Sequence, residues 1–175
     1  MFDSVTNLFR NTIYIKARVE KLSLLQIETG KELNLLPEVA IETTNGKKKV
    51  LEYGAEAKAK KGLLNTEVVN GFRHPRTLLA DFTVAELVLK HGFRMVISKS
   101  LFAPSPIVIF HPLELDEGGY TQVELRAFEE LCIQAGARKV YIKTGKELSK
   151  EELSTLANSN YSGIESVIKT LIKEK

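Results

Sequence analysis

The sequence predicts one mixed α/β domain with a small inserted lobe. Two β-branched, leucine-rich runs near the start fold back on each other across a short charged connection. From Asp81 to Ile142, helix-period segments alternate with continuous apolar runs, the pattern of strands buried on both faces. A length of 175 residues supports a sizeable core but has no room for two full domains.

Met1 to Arg10 places Phe2, Val5, Leu8 and Phe9 at helical spacing, a short amphipathic helix expected to pack on the body or on a partner. Strands follow at Thr12 to Val19 and Leu22 to Glu28, and Thr29-Gly30-Lys31 turns the chain toward a third near Val39 to Thr43, completing an antiparallel meander. Asn45-Gly46 is a type I′ hairpin signal because both central positions need φ > 0, and it leads into a strand near Lys49 to Tyr53. Ala55 to Lys61 reads as a short helix stopped by Gly62.

Asp81 opens a strong helix over Thr83 to Lys99, with Val84, Leu87, Val88 and His91 on its packing face and Gly92 weakening its second half. Pro104 and Pro106 break the chain, and Ile107 to Phe110 is a buried strand. Thr121 to Ala135 is a second helix ended by Gly136, and Lys139 to Ile142 another strand, so this half of the sheet is expected to be parallel. Three antiparallel strands followed by helix-strand-helix-strand is the order of a ribonuclease H-like or actin-like half.

Composition excludes several classes. With 43% hydrophobic and 27% charged residues, 11 Gly and 5 Pro, the chain is neither disordered nor fibrous. A net charge of +3, with Lys and Arg interleaved among Glu, gives no case for nucleic acid, and the runs Lys47 to Lys49 and Lys58 to Lys61 read as solvated surface. No apolar stretch approaches the roughly 18 residues that cross a bilayer. The start lacks a basic n-region before an apolar core, so no signal peptide is expected, and membrane contact is expected only through the N-terminal helix. The lone Cys132 excludes an internal disulfide, suits a reducing cytoplasm, and sits beside Leu131 and Ile133 as a small buried hydrophobe.

Chemistry-bearing groups are sparse. His74, His91 and His111 lack metal spacing and read as structural or surface histidines. His111 ends a buried strand, where α/β folds place ligands, just before Glu114, Asp116 and Glu117. A small metal-dependent or hydrolytic enzyme using His111, Glu114 and Asp116 is therefore the alternative reading, against a solvated loop closed by Gly118-Gly119. Lys143-Thr144-Gly145-Lys146 lacks the upstream glycine and following hydroxyl of a phosphate loop.

Five blocks carry a resemblance to a known family. Leu33-Asn34 followed by "PEVAIET", "VLEYGAEAKAKKG", "LLADFTVAELVLKHGFRMV", "PSPIVIFHP" and "TQVELRAFEELCIQAGARKVYI" stand in the order and nearly the spacing of the bacterial actin homologue MreB, the rod shape-determining protein family. The resemblance covers residues 9 to about 142 and implies an ATP-binding filament former whose two domains close around the nucleotide. Only the first of those domains has a counterpart. On that likeness residues 1–42 and 77–145 form the larger lobe, 43–76 a small inserted lobe, and 146–175 a helical tail.

The departures from the family bear on function. Its first phosphate turn reads Asp-x-Gly-Thr-x-Asn-Thr, in which the Asp orders the metal and the Gly lets backbone N–H groups approach phosphate oxygens. A gap-free register puts Lys16 for Asp, Arg18 for Gly, Val19 for the first Thr, Lys21 for Asn and Leu22 for the last Thr. Long and β-branched side chains where glycine is needed block the close backbone approach, so the turn is expected to be a degenerate site without cofactor. After Ile142 the family supplies a water-positioning glutamate, which Thr144 or Gly145 replaces here. In the tail, Ile164, Val167, Ile168, Leu171 and Ile172 form one apolar stripe on a helix over Ser162 to Lys173, with Asn160 or Ser162 as N-cap. That stripe is expected to cover an apolar face of the body, worth about 25 cal/mol per Å² buried, with docking into another protein as its rival; Phe2, Val5 and Phe9 are further interface candidates. The expected function is a non-catalytic cytoplasmic half-molecule acting by contact on an MreB-type filament or the cell-shape apparatus.

Overall fold

The computed structural model describes residues 10–97, 104–115, 117–160 and 163–173. The N-terminal stripe of Phe2, Val5 and Phe9 lies outside the described residues, as does Asp116. A five-stranded sheet has the order β3-β2-β1-β7-β8 and a three-stranded sheet the order β5-β4-β6. The strands of the first are β1 (Thr12–Ala17), β2 (Leu22–Gln26), β3 (Lys31–Leu35), β7 (Ile107–Pro112) and β8 (Lys139–Ile142). Those of the second are β4 (Glu38–Thr44), β5 (Lys47–Tyr53) and β6 (Thr66–Asn70). β1, β2 and β3 pair antiparallel, whereas β7 runs parallel to both β1 and β8.

Helix α1 (Gly54–Lys58) follows β5, and α2 (Phe82–Val96) and α3 (Gln122–Gln134) cross over between the parallel strands. Asp81 caps α2 by accepting from the Val84 N–H, and Thr121 with Glu124 closes a capping box on α3. Gly92 is no break in α2. A Cβ there would stand 2.9 Å from Leu24 Cδ2, so the glycine lets the helix lie against β2. Asn45 and Gly46 take φ of 52° and 75°, the left-handed pair that a type I′ hairpin requires.

One expectation is corrected. The third strand of the meander is β3, not Val39 to Thr43; the latter belongs to β4, the central strand of the second sheet. β3 is a short edge strand of mixed exposure, too brief and polar to reveal its period, while Val39 and Ile41 advertised theirs. The second sheet begins at Glu38. Within the helical tail expected over 146–175, the structure resolves a further helix, α4 (Lys150–Asn158), opened by a Ser149–Glu152 capping box.

Alternation along the strands divides the core. Ile13, Ile15, Ala17, Val108 and Phe110 face α2 and α3 in one apolar cluster, which Val39 and Phe72 join from the second-sheet side. Tyr14, Ile107 and Ile109 face the other way, against α4 and the tail helix α5 (Ile164–Lys173). Ile164 and Ile168 are buried there, and Val167, Leu171 and Ile172 pack around them, so the tail stripe covers the chain's own sheet. Cys132 is buried in the first cluster, and desolvation pushes its thiol up, far from thiolate chemistry.

Candidate functional site

The ends of three parallel strands converge beside the turn between β1 and β2. Lys16 lies opposite His111 and Ala17 opposite Pro112 in the parallel register. Arg18 N–H donates to Lys21 O at 3.0 Å and Lys21 N–H to Arg18 O at 3.4 Å, so Val19 and Glu20 form a two-residue turn. Leu22 is already in β2 and fully buried, while Lys21 is exposed.

Internal carboxylates occupy this turn. Glu147, in the loop between β8 and α4, accepts from Lys16 Nζ at 3.0 Å and from Arg18 Nη2 at 2.9 Å. The two cations hold its carboxyl below the usual carboxylate range, Lys16 foremost. All three side chains are 30–42% exposed, so each pair contributes under about 1 kcal/mol. The Val19 N–H donates to Glu114 Oε2 at 2.7 Å, and the Val19 carbonyl accepts from Asn70 Nδ2 at 2.8 Å. Arg73 grips Glu20 through two nitrogens and also donates to Glu38 at 2.9 Å, joining the turn to the second sheet. Hydrogen bonds to both carboxylates, to Glu20 first, raise the Arg73 pKa.

His111 is fully buried beneath this surface, and both of its ring nitrogens are engaged. Nε2 lies 3.0 Å from the Gly145 carbonyl, which can only accept, so Nε2 carries the proton. Nδ1 therefore accepts from the Tyr14 hydroxyl at 2.7 Å, whose oxygen accepts in turn from the Leu148 N–H at 3.3 Å. Burial lowers the His111 pKa and lifts that of Tyr14 to about 12, so both groups stay neutral. The alternative that joined His111 and Glu114 with Asp116 finds no support in this geometry. His111 turns to Tyr14, and Glu114 reaches the Val19 amide. Among the described residues no group of three or more His, Cys, Asp or Glu is placed to hold a metal.

Glu147 and Tyr14 escaped the sequence reading for different reasons. Tyr14 and His111 were within reach of inference, because Lys16 pairs with His111 and side chains two residues apart share a face. Glu147 meets Lys16 across 131 positions of sequence, and nothing local marks it.

An order of β3-β2-β1-β7-β8 with helices on both faces, and a turn after the first strand at the ends of the parallel strands, defines an actin-like α/β domain. Residues 28–148 match the MreB/Mbl protein family, and the chain belongs to it. The turn at residues 16–22 precedes that matched stretch.

The cell shape-determining protein MreB of Haemophilus influenzae is 31% identical over 144 residues, which are 81% of this chain and 40% of that protein. The cell shape-determining protein Mbl of Bacillus subtilis is 31% identical over 114 residues, 65% of this chain and 32% of that protein. Among solved structures, MreB5 of Spiroplasma citri bound to AMPPNP superposes with a TM-score of 0.61 at 19% identity, covering 77% of this chain and 38% of that one. The chain thus spans at most about two fifths of the length of these relatives.

Proposed function

We propose that this chain is a non-catalytic MreB-like domain that works in the cytoplasm by protein contact, modulating a cell-shape filament or the assembly of the envelope. The observation that carries the reading is the filling of the turn by the chain's own acids. Glu147 spans Lys16 and Arg18, and Glu114 takes the Val19 N–H. A nucleotide phosphate would need those same donors and would have to displace two carboxylates to reach them. It would also meet Arg18 and Val19 side chains where the resembled turn offers a glycine and a small hydroxyl.

Contact as the mode of action is supported by what is retained rather than by what is lost. The family match runs through α2, β7, α3 and β8, so surfaces carried by those elements are available to a partner that recognises MreB-type chains. Such a molecule would cap, brace or space a filament without hydrolysing anything.

Isothermal titration of the chain with ATP and magnesium is expected to give no saturable heat. Co-sedimentation with an assembled MreB-type filament is expected to move it to the pellet. Micromolar, magnesium-dependent ATP binding would overturn the non-catalytic reading. Failure to pellet with the filament would remove that partner.

A further inference from the structure

A cleft of about 550 Å³ opens where the two sheets meet. Leu33 and Leu35 line it from β3, two residues apart and so on one face of the strand. His91 and Met95 line it from α2, four residues apart and therefore neighbours on one side of the helix. Tyr53, the last residue of β5, and the first turn of α1 close it from the second sheet. The Tyr53 and His91 rings stack at 4.2 Å between centroids and 12° between planes, an aromatic wall that joins β5 to α2.

Two acceptors in this cleft take no hydrogen bond from a described residue, the Leu36 carbonyl and the Glu56 carboxylate. A Cβ placed on Gly54 would stand 3.8 Å from Glu56 Oε2 and 4.0 Å from the Leu36 oxygen, with no other atom within 4 Å outside its chain neighbours. Both acceptors therefore flank one small open space, which Gly54 at φ 70° keeps clear. The other charges nearby do not contest it. Glu20 is held by Arg73, and Lys21, also on the rim, is exposed and makes no ion pair among the described residues, so its ammonium can extend into water. Burial first, then Arg94, lowers the His91 pKa against the pull of Glu52 and Glu56, which leaves the ring uncharged at neutral pH.

We propose that this cleft binds a small organic ammonium ion, its amine received by the Glu56 carboxylate and the Leu36 carbonyl and its flat apolar body lying along the Tyr53–His91 wall against Leu33, Leu35 and Met95. Charge-assisted hydrogen bonds and the neutral ring faces hold the cation, while the leucines take the body out of water. Glu56 repels an anion, and a neutral apolar molecule leaves that carboxylate unanswered. The volume suits one small molecule. Because the walls come from both sheets, an occupant fastens one sheet to the other. The proposal does not depend on whether the turn at Val19 takes nucleotide.

Amide NMR titration of the full chain with phenethylammonium chloride is expected to give saturable shifts at Gly54, Ala55, Glu56, His91 and Met95, with a dissociation constant of about 1 mM or below. Glu56→Gln keeps the shape of the side chain while removing its charge, and should weaken binding about tenfold. Phenylethanol, which carries the same body with a hydroxyl for the amine, should bind the unaltered chain about tenfold more weakly. Circular dichroism checks that the variant folds, and the comparison of amine with alcohol needs no variant. Three results overturn the proposal: no saturable shift with the amine, equal affinity for amine and alcohol, or shifts that gather outside the cleft while Glu56→Gln binds as before.

Discussion

At position 111 a neutral imidazole is held by the buried Tyr14 hydroxyl on one side and by the carbonyl of the exposed Gly145 on the other. Its pKa in the folded chain is depressed below the ordinary 6.5, chiefly by desolvation, so the unfolded chain takes up the proton first as pH falls. The stability that the neutral ring contributes is fully present above about 6.5 and is lost as pH drops toward the folded value. Denaturant melts between neutral and mildly acid pH should show this decline, and His111→Gln should flatten it; an unchanged slope would assign the effect elsewhere, His91 being next in line because its pKa is shifted the same way. Tyr14→Phe removes the donor to Nδ1 and the acceptor for the Leu148 N–H, and should cost about 1–3 kcal/mol. The three-way contact of Tyr14, His111 and Leu148 is a matter of register: alternation gives which face each side chain takes, but Leu148 arrives from a loop that no period describes.

Elements were legible in proportion to their local signals. The Asn45-Gly46 hairpin, the run Ile107 to Phe110 and the helix from Thr121 announced themselves through turn chemistry, continuous apolarity and a cap. β6 did not, because Thr66–Asn70 alternates weakly beside a lysine-rich loop and gains its place only by pairing with β4. α5 was legible as an amphipathic stripe, but the surface it meets was not. That surface proves to be Ile107, Ile109 and Tyr14 of its own sheet, with Leu156 of α4 beside them. Ile168 is fully buried there, so Ile168→Ala should destabilise the chain by about 2–5 kcal/mol in urea titration. A change within about 0.5 kcal/mol would mean that α5 sits on the body too loosely to count as part of the core.

Across the whole molecule, a single buried guanidinium joins the start of the first strand to the end of α4. Arg10 donates to Glu28, to the carbonyls of Leu156 and Ala157, and to that of Ser159, satisfying the open C-terminal end of α4. Its side chain is 1% exposed and that of Glu28 7%. Arg10→Ala would strand a buried carboxylate together with the α4 carbonyls, and should cost about 3–5 kcal/mol by equilibrium unfolding. A much smaller loss would mean that water enters to replace the guanidinium.

The layer that α4 and α5 supply has a consequence in time. A ribosome makes β1 early and α5 more than a hundred residues later, at a rate of about 5–20 residues per second. Between the synthesis of β7 and that of Ile168, about sixty residues later, Ile107 and Ile109 exist but their cover does not. The nascent chain therefore carries a wet, sticky sheet face for several seconds, and a trigger-type chaperone that shields such faces would be needed most between the emergence of β7 and the arrival of Ile168.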